Sequence, residues 1–111
     1  MGQVTDEKIA AVVTDIVSEV NPELVYLFGS RARGDATADS DVDLMVIAGE
    51  AFGRNYVRYE QLAKLTRLAV KHRIPADIVL YSREEFARMR DWPGHVASDA
   101  AREGRLLYAK S

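Results

Sequence analysis

Asp41 and Asp43 stand two positions apart where an apolar run begins, in the stretch Ser40-Asp41-Val42-Asp43-Leu44. In a strand, residues two apart leave the same face, so both carboxylates point one way while Val42 and Leu44 point the other. Aspartate is depleted in strands, and like charges on one face repel. An isolated Asp-x-Asp therefore reads first as a solvated turn before a strand. Asp77 changes the balance. It lies in Ala76-Asp77-Ile78-Val79-Leu80, where a lone ionised carboxylate is expected to be costly among apolar neighbours. Taken alone, it reads equally well as a strand-end aspartate bonded to backbone N–H groups. If the two strands are neighbours, Asp77 approaches Asp41 and Asp43, and three packed carboxylates need a counter-charge. A hard divalent cation supplies one, and ligands made only of oxygen suit Mg²⁺ or Mn²⁺.

Gly29-Ser30 follows the apolar run Leu24-Val25-Tyr26-Leu27-Phe28. Glycine lets backbone approach a ligand closely. A short helix starting near Ser30 would offer its first N–H groups and the serine hydroxyl to phosphate oxygens. By itself Gly-Ser is a very common turn. Joined to the three carboxylates, it describes a site for a nucleotide and a divalent metal, suited to phosphoryl or nucleotidyl transfer. Arg31 and Arg33 flank the turn and could reach a triphosphate, or stand as solvated loop arginines.

The elements that must position these groups follow from hydrophobic spacing. Ile9, Val12, Val13, Ile16, Val17 and Val20 predict a helix from Thr5, its cap, to about Asn21, where Asn21-Pro22 stops it. Residues 24–28 and 41–47 read as strands, the second closed by Gly49. Tyr59, Leu62, Ala63, Thr66, Ala69 and Val70 predict a long helix over about 55–72. Leu65 and Leu68 form a second apolar row beside that stripe, for core packing or for a partner. A third strand covers Ala76–Tyr81, and Ser82-Arg83-Glu84-Glu85 is a capping box that starts a short helix. Pro93-Gly94 breaks the path, a brief helix follows from about His95 with Gly104 as a stop, and Leu106–Tyr108 adds an edge strand. This order predicts a single domain over 1–111, a two-layer α/β (α+β) sheet domain.

The set Phe28-Gly29-Ser30, ten intervening residues, Asp41-Val42-Asp43, then Ala76-Asp77-Ile78 resembles the minimal nucleotidyltransferases of the DNA polymerase beta superfamily. Gly-Ser-x-Ala-Arg-Gly over residues 29–34 is similar to the minimal branch in particular. The resemblance implies a nucleotidyltransferase-like fold with a small mixed sheet of three to four strands. It implies that Asp41 and Asp43 bind two Mg²⁺ ions that clamp the ATP triphosphate, with Asp77 completing the catalytic metal site and helping to deprotonate the acceptor. Gly29 and Ser30 would hold the terminal phosphates, with Arg33 matching the family's Ala-Arg-Gly. Larger members append an acceptor-binding domain that this chain is expected to lack. Its acceptor would then be a partner protein, a second copy of itself, or a free small molecule. Minimal members commonly accompany an all-helical HEPN ribonuclease toxin and act as its antitoxin, transferring AMP to a tyrosine of the toxin. Two other readings remain. One is a module that neutralises its partner by contact alone, and the other is a homodimer that modifies a small molecule.

Composition narrows the field. The 111 residues carry 15 Lys+Arg against 17 Asp+Glu, a net charge of −2 that excludes any strong general attraction to nucleic acid or anionic membrane. Asp35, Asp39, Asp41 and Asp43 make the loop before the second strand repel a nucleic-acid backbone. There is no cysteine, which excludes disulfides and thiol catalysis. No apolar run is long enough for a membrane span, and Met1-Gly2 lacks the Ser or Thr that myristoylation wants at position 6, where Asp6 stands. A small cytoplasmic domain is expected. His72 and His95 are expected to be surface or satisfied polar residues, and Trp92 a packing residue under the C-terminal turn. Two Arg-x4-His strings, Arg67…His72 and Arg90…His95, imitate the HEPN signature. The second spans Pro93-Gly94 and cannot be one helix.

Overall fold

The computed structural model describes residues 4–37 and 40–110; Met1-Gly2 and Asp39 lie outside them. Helix α1 (Asp6–Val20) begins where the Thr5 hydroxyl accepts the Lys8 N–H and ends at Asn21, which is left-handed at φ 52°. Strand β1 (Leu24–Phe28) leads into a single helical turn, α2 (Ser30–Arg33), and then to β2 (Val42–Ala48). A crossover helix, α3 (Arg58–Lys71), returns the chain to β3 (Ala76–Ser82). Helices α4 (Arg83–Met89) and α5 (Val96–Glu103) precede the last strand, β4 (Arg105–Ala109). The sheet order is β3-β2-β1-β4, with β1 antiparallel to β2 and β4, and β3 parallel to β2. The small mixed sheet packed with helices and the edge strand near residues 106–108 are as the sequence predicts.

Strand β2 sits in the middle and is buried on both faces. Val25, Leu27, Val42, Leu44 and Val46 pack against Ile9, Val12, Val13 and Ile16 of α1 and Leu65 of α3. Met45 and Ile47 face the other way, onto Phe86 of α4 and Ala97 and Ala100 of α5. The two short helices thus add a partial layer on the second face. Ser82 caps α4 in a full capping box, its hydroxyl accepting the Glu85 N–H while the Glu85 carboxylate accepts the Ser82 N–H. The end of α5 runs so close to β1 that a methyl group on Gly104 would stand 2.9 Å from the Leu27 carbonyl oxygen. Among the described residues no helix is long and apolar enough to cross a membrane.

Two side-chain expectations need correction. In α3 the buried residues are Gln61, Leu65 and Ala69, with Leu62 and Leu68 partly covered, whereas Tyr59 and Val70 are 79% and 70% exposed. The core-facing arc takes members of both apolar rows, with Leu65 and Ala69 buried and Leu62 and Leu68 at its margins. The helix also starts three residues later than expected, and in the irregular segment before it Phe52 and Tyr56 stack at 5.4 Å. Trp92 is 56% exposed and meets His95 edge-on, rather than packing beneath the turn.

Both histidines are satisfied. His95 Nδ1 accepts the Ala97 N–H at the start of α5, and His72 Nε2 lies 2.6 Å from Asp15 Oδ2, tying the end of α3 to α1. The hydrogen bond from His72 holds the Asp15 carboxyl below its ordinary value, with Lys71 adding to it. A lowered folded value means that this contribution is present at neutral pH and disappears as pH falls through that value. Asp15→Asn should therefore melt below wild type at about pH 7, with the gap closing toward about pH 2. Equal gaps at both ends of that pH series would show that the ion pair contributes nothing.

Candidate active site

The site forms where β1 ends and β2 and β3 begin. The register sets Asp43 opposite Phe28 on one side and Asp77 on the other, so the three side chains share one face in one row. The rows behind them, from Met45 and Val79 onward, are covered by α4 and α5. The last row stays open. Within β2 every residue is buried except Asp43. Val42 N–H donates to the Pro75 carbonyl at 2.8 Å, which holds the start of β2 beside the start of β3.

Burial pushes the Asp43 carboxyl above its ordinary value, and the charges of Asp77 and then Asp41 push it further, while Arg33 pulls it back. Asp77 and Asp41 are thus both within electrostatic reach of Asp43. Asp77, however, is exposed. Burial is not what makes it costly, because β3 is an edge strand and its first residues are open to solvent. Asp41 is exposed too, just ahead of β2. Among the described residues, no three acidic, histidine or cysteine side chains converge into a finished metal cage. Mg²⁺ seldom uses one, since it takes one or two carboxylates and completes its shell with water and substrate phosphate. An oxygen-only set with a half-buried carboxylate pressed by two like charges fits such an ion.

Gly29 explains why the turn is glycine. Its backbone, at φ 74° and ψ −155°, lies in a region open essentially to glycine alone. A methyl group there would overlap the Asp43 carboxylate oxygen and stand 3.0 Å from its Cγ. The turn and the carboxylate are therefore fitted to each other. Gly29 O accepts the Ala32 and Arg33 N–H groups and opens α2, whose first amides have no partner within the helix.

The two arginines differ. Arg33 is half exposed, approaches Asp35 at 3.4 Å, and acts electrostatically on Asp43. Arg31 turns toward the loop instead: its Nε and Nη2 donate to the Ser40 carbonyl at 3.2 and 2.8 Å, and Nη2 reaches the Thr37 carbonyl at 3.4 Å. Sequence reasoning missed Thr37, Ser40 and Pro75. The available signal was the pair of hydroxyl residues Thr37 and Ser40 just ahead of Asp41.

Comparison with known proteins identifies the family of the fold. The sequence profile of the nucleotidyltransferase domain family matches residues 7–107. A candidate protein adenylyltransferase of Methanocaldococcus jannaschii, MJ0604, is 33% identical over 84 residues, 76% of each chain. Protein adenylyltransferase MntA of Shewanella oneidensis is 34% identical over 65 residues, 59% of this chain and 45% of that one. Among solved structures, a candidate nucleotidyltransferase from Sulfolobus solfataricus superposes with a TM-score of 0.65 at 21% identity, covering 94% of this chain and 79% of that one. A toxin–antitoxin structure solved with AMP-PNP gives 0.59 at 22% identity, covering 92% of this chain and 74% of that one. The profile match spans nearly the whole chain, the Methanocaldococcus relative shares a third of the residues it aligns, and the fold is the same, so this chain belongs to the nucleotidyltransferase domain family.

Proposed function

We propose that this protein transfers AMP from ATP to a hydroxyl group of a partner protein, and that the partner is a HEPN-type toxin which it serves as antitoxin. The observation that carries the chemistry is the Phe28–Asp43–Asp77 row, with Gly29 fitted against Asp43 at its end. Two curated relatives named as protein adenylyltransferases support the reaction class. The toxin–antitoxin structure with AMP-PNP supports a fold able to serve both roles.

In this reading Asp41 and Asp43 hold Mg²⁺, two ions in the full arrangement, and Asp77 completes the set. Bound there, the ion neutralises the carboxylates and the developing charge on the phosphates. Gly29, Ser30 and the first amides of α2 hold the terminal phosphates, and Arg33 adds positive field beside them. The acceptor hydroxyl oxygen bonds to the α-phosphorus as the bond to the pyrophosphate oxygen breaks. Asp77, open at the sheet edge, takes the hydroxyl proton, and pyrophosphate departs with its electron pair. No step needs a redox partner.

The test is to incubate the purified protein with Mg²⁺ and α-labelled ATP, with and without a HEPN protein encoded beside it, and to take intact masses. One or more AMP units on the HEPN protein, absent with Asp41→Asn, are the expected result. A tight complex with no transfer from any NTP would make the protein a contact-only binder. Transfer by a stable dimer without any protein acceptor would assign it a small-molecule substrate.

A further inference from the structure

We infer that Arg31 is a positioning residue for the metal carboxylates, bracing the loop that delivers Asp41 and Asp43, rather than a contact to the triphosphate. This deepens the nucleotidyl-transfer reading and rests on it. Arg31 follows Ser30 in α2, yet its guanidinium reaches across to the far end of the loop, where Nε and Nη2 share the Ser40 carbonyl and Nη2 also meets Thr37 O. The two residues it grips are themselves joined: Ser40 N–H donates to Thr37 O at 3.1 Å, and Thr37 N–H donates to Ser40 Oγ at 2.9 Å. Arg31 therefore holds a preformed handle.

Ser40 immediately precedes Asp41, and its carbonyl belongs to the peptide that carries the Asp41 N–H. One residue further on, Val42 N–H is fixed to the Pro75 carbonyl. Asp41 thus hangs between two pinned peptide groups, one held by Arg31 and the other by the loop before β3. Fixing both sets the direction in which the Asp41 side chain leaves the chain and where Asp43 follows it. The arginines divide the work, since Arg33 is the one that acts on Asp43 through charge. A lysine could supply one point donor, whereas the two carbonyls of Thr37 and Ser40 suit the planar fork of arginine.

The experiment compares wild type with Arg31→Ala, Arg31→Lys and Arg33→Ala. Three quantities are measured: Mn²⁺ affinity without nucleotide, by electron paramagnetic resonance; backbone hydrogen exchange across residues 35–43; and the ratio of ATP to AMP affinity. Arg31→Ala should weaken Mn²⁺ binding by about 10–100-fold, the range found for residues that orient metal ligands. It should speed exchange at 40–43 while α1 and α3 exchange as in wild type, and leave the ATP/AMP ratio, measured at saturating Mn²⁺, unchanged. Arg31→Lys should recover part of the loss, and it keeps a cation in α2 should the alanine variant misfold. Unchanged Mn²⁺ affinity with a fallen ATP/AMP ratio would make Arg31 a phosphate contact and overturn the inference. Faster exchange throughout the sheet would also overturn it, making the arginine a general stabiliser. Wild-type protein that takes up no Mn²⁺ would overturn the metal reading of the site, and this role with it.

Discussion

Asp43→Asn should melt at a higher temperature than wild type in metal-free buffer while losing nucleotidyl transfer by a factor on the order of 10³ or more. The two effects share one cause. Burial, Asp77 and Asp41 raise the Asp43 carboxyl above its ordinary value, so the folded protein holds this proton more tightly than the unfolded chain does. The native state then binds more protons, and stability falls as pH rises through the raised value. At neutral pH the charged Asp43 destabilises the fold, and asparagine removes that charge with little change in shape. Mg²⁺ should reverse the ranking, stabilising wild type by binding the folded state and leaving the variant unmoved. Metal uptake should itself release protons and weaken in acid. Parallel melting-temperature curves for the two proteins across acid and neutral pH would show that Asp43 carries no such burden.

Gly29→Ala should be among the most damaging single methyl additions to the chain. Two penalties combine: a backbone conformation that L-residues avoid, costing about 1–3 kcal/mol, and overlap with the Asp43 carboxylate. Relief requires the carboxylate to move, so metal affinity and transfer should fall together with stability. A double-mutant cycle separates the two parts. Asp43→Ala removes the overlapped group, so the Gly29→Ala/Asp43→Ala protein should regain about 1 kcal/mol or more of what additivity would take away. Strict additivity in urea unfolding would attribute the whole cost to the backbone and show that the turn and the carboxylate are not fitted to each other.

What the sequence made legible tracks the range of the interactions involved. Thr5, the Ser82 capping box and Gly29-Ser30 act within a few residues, and their elements stand where periodicity and capping place them. The pairing of Asp43 with Asp77 was legible only as a condition on neighbouring strands, which the parallel β2–β3 register meets. The inward face of α3 was not legible. Tyr59 and Val70 fit one apolar stripe as well as Leu65 and Leu68 fit another, and only the volume left between α1 and the sheet decides between them. The exposure of Asp77 escaped for a related reason: apolar neighbours in sequence say nothing about whether a strand lies at an edge. The grip of Arg31 on Ser40 depends on a loop path that residue types alone do not specify.

The central strand has one more consequence, for the unfolded chain. Val42-Asp43-Leu44-Met45-Val46-Ile47-Ala48 is apolar throughout except at Asp43. A segment of that length with high β-propensity and no proline is of the kind that stacks into intermolecular sheets once exposed, and a single charge within it acts as a gatekeeper. The carboxylate that burdens the native state therefore keeps freshly made or heated chains apart. Asparagine at this position would stabilise the metal-free folded protein and endanger every molecule that has yet to fold, so solubility during synthesis and metal-free melting temperature should move in opposite directions.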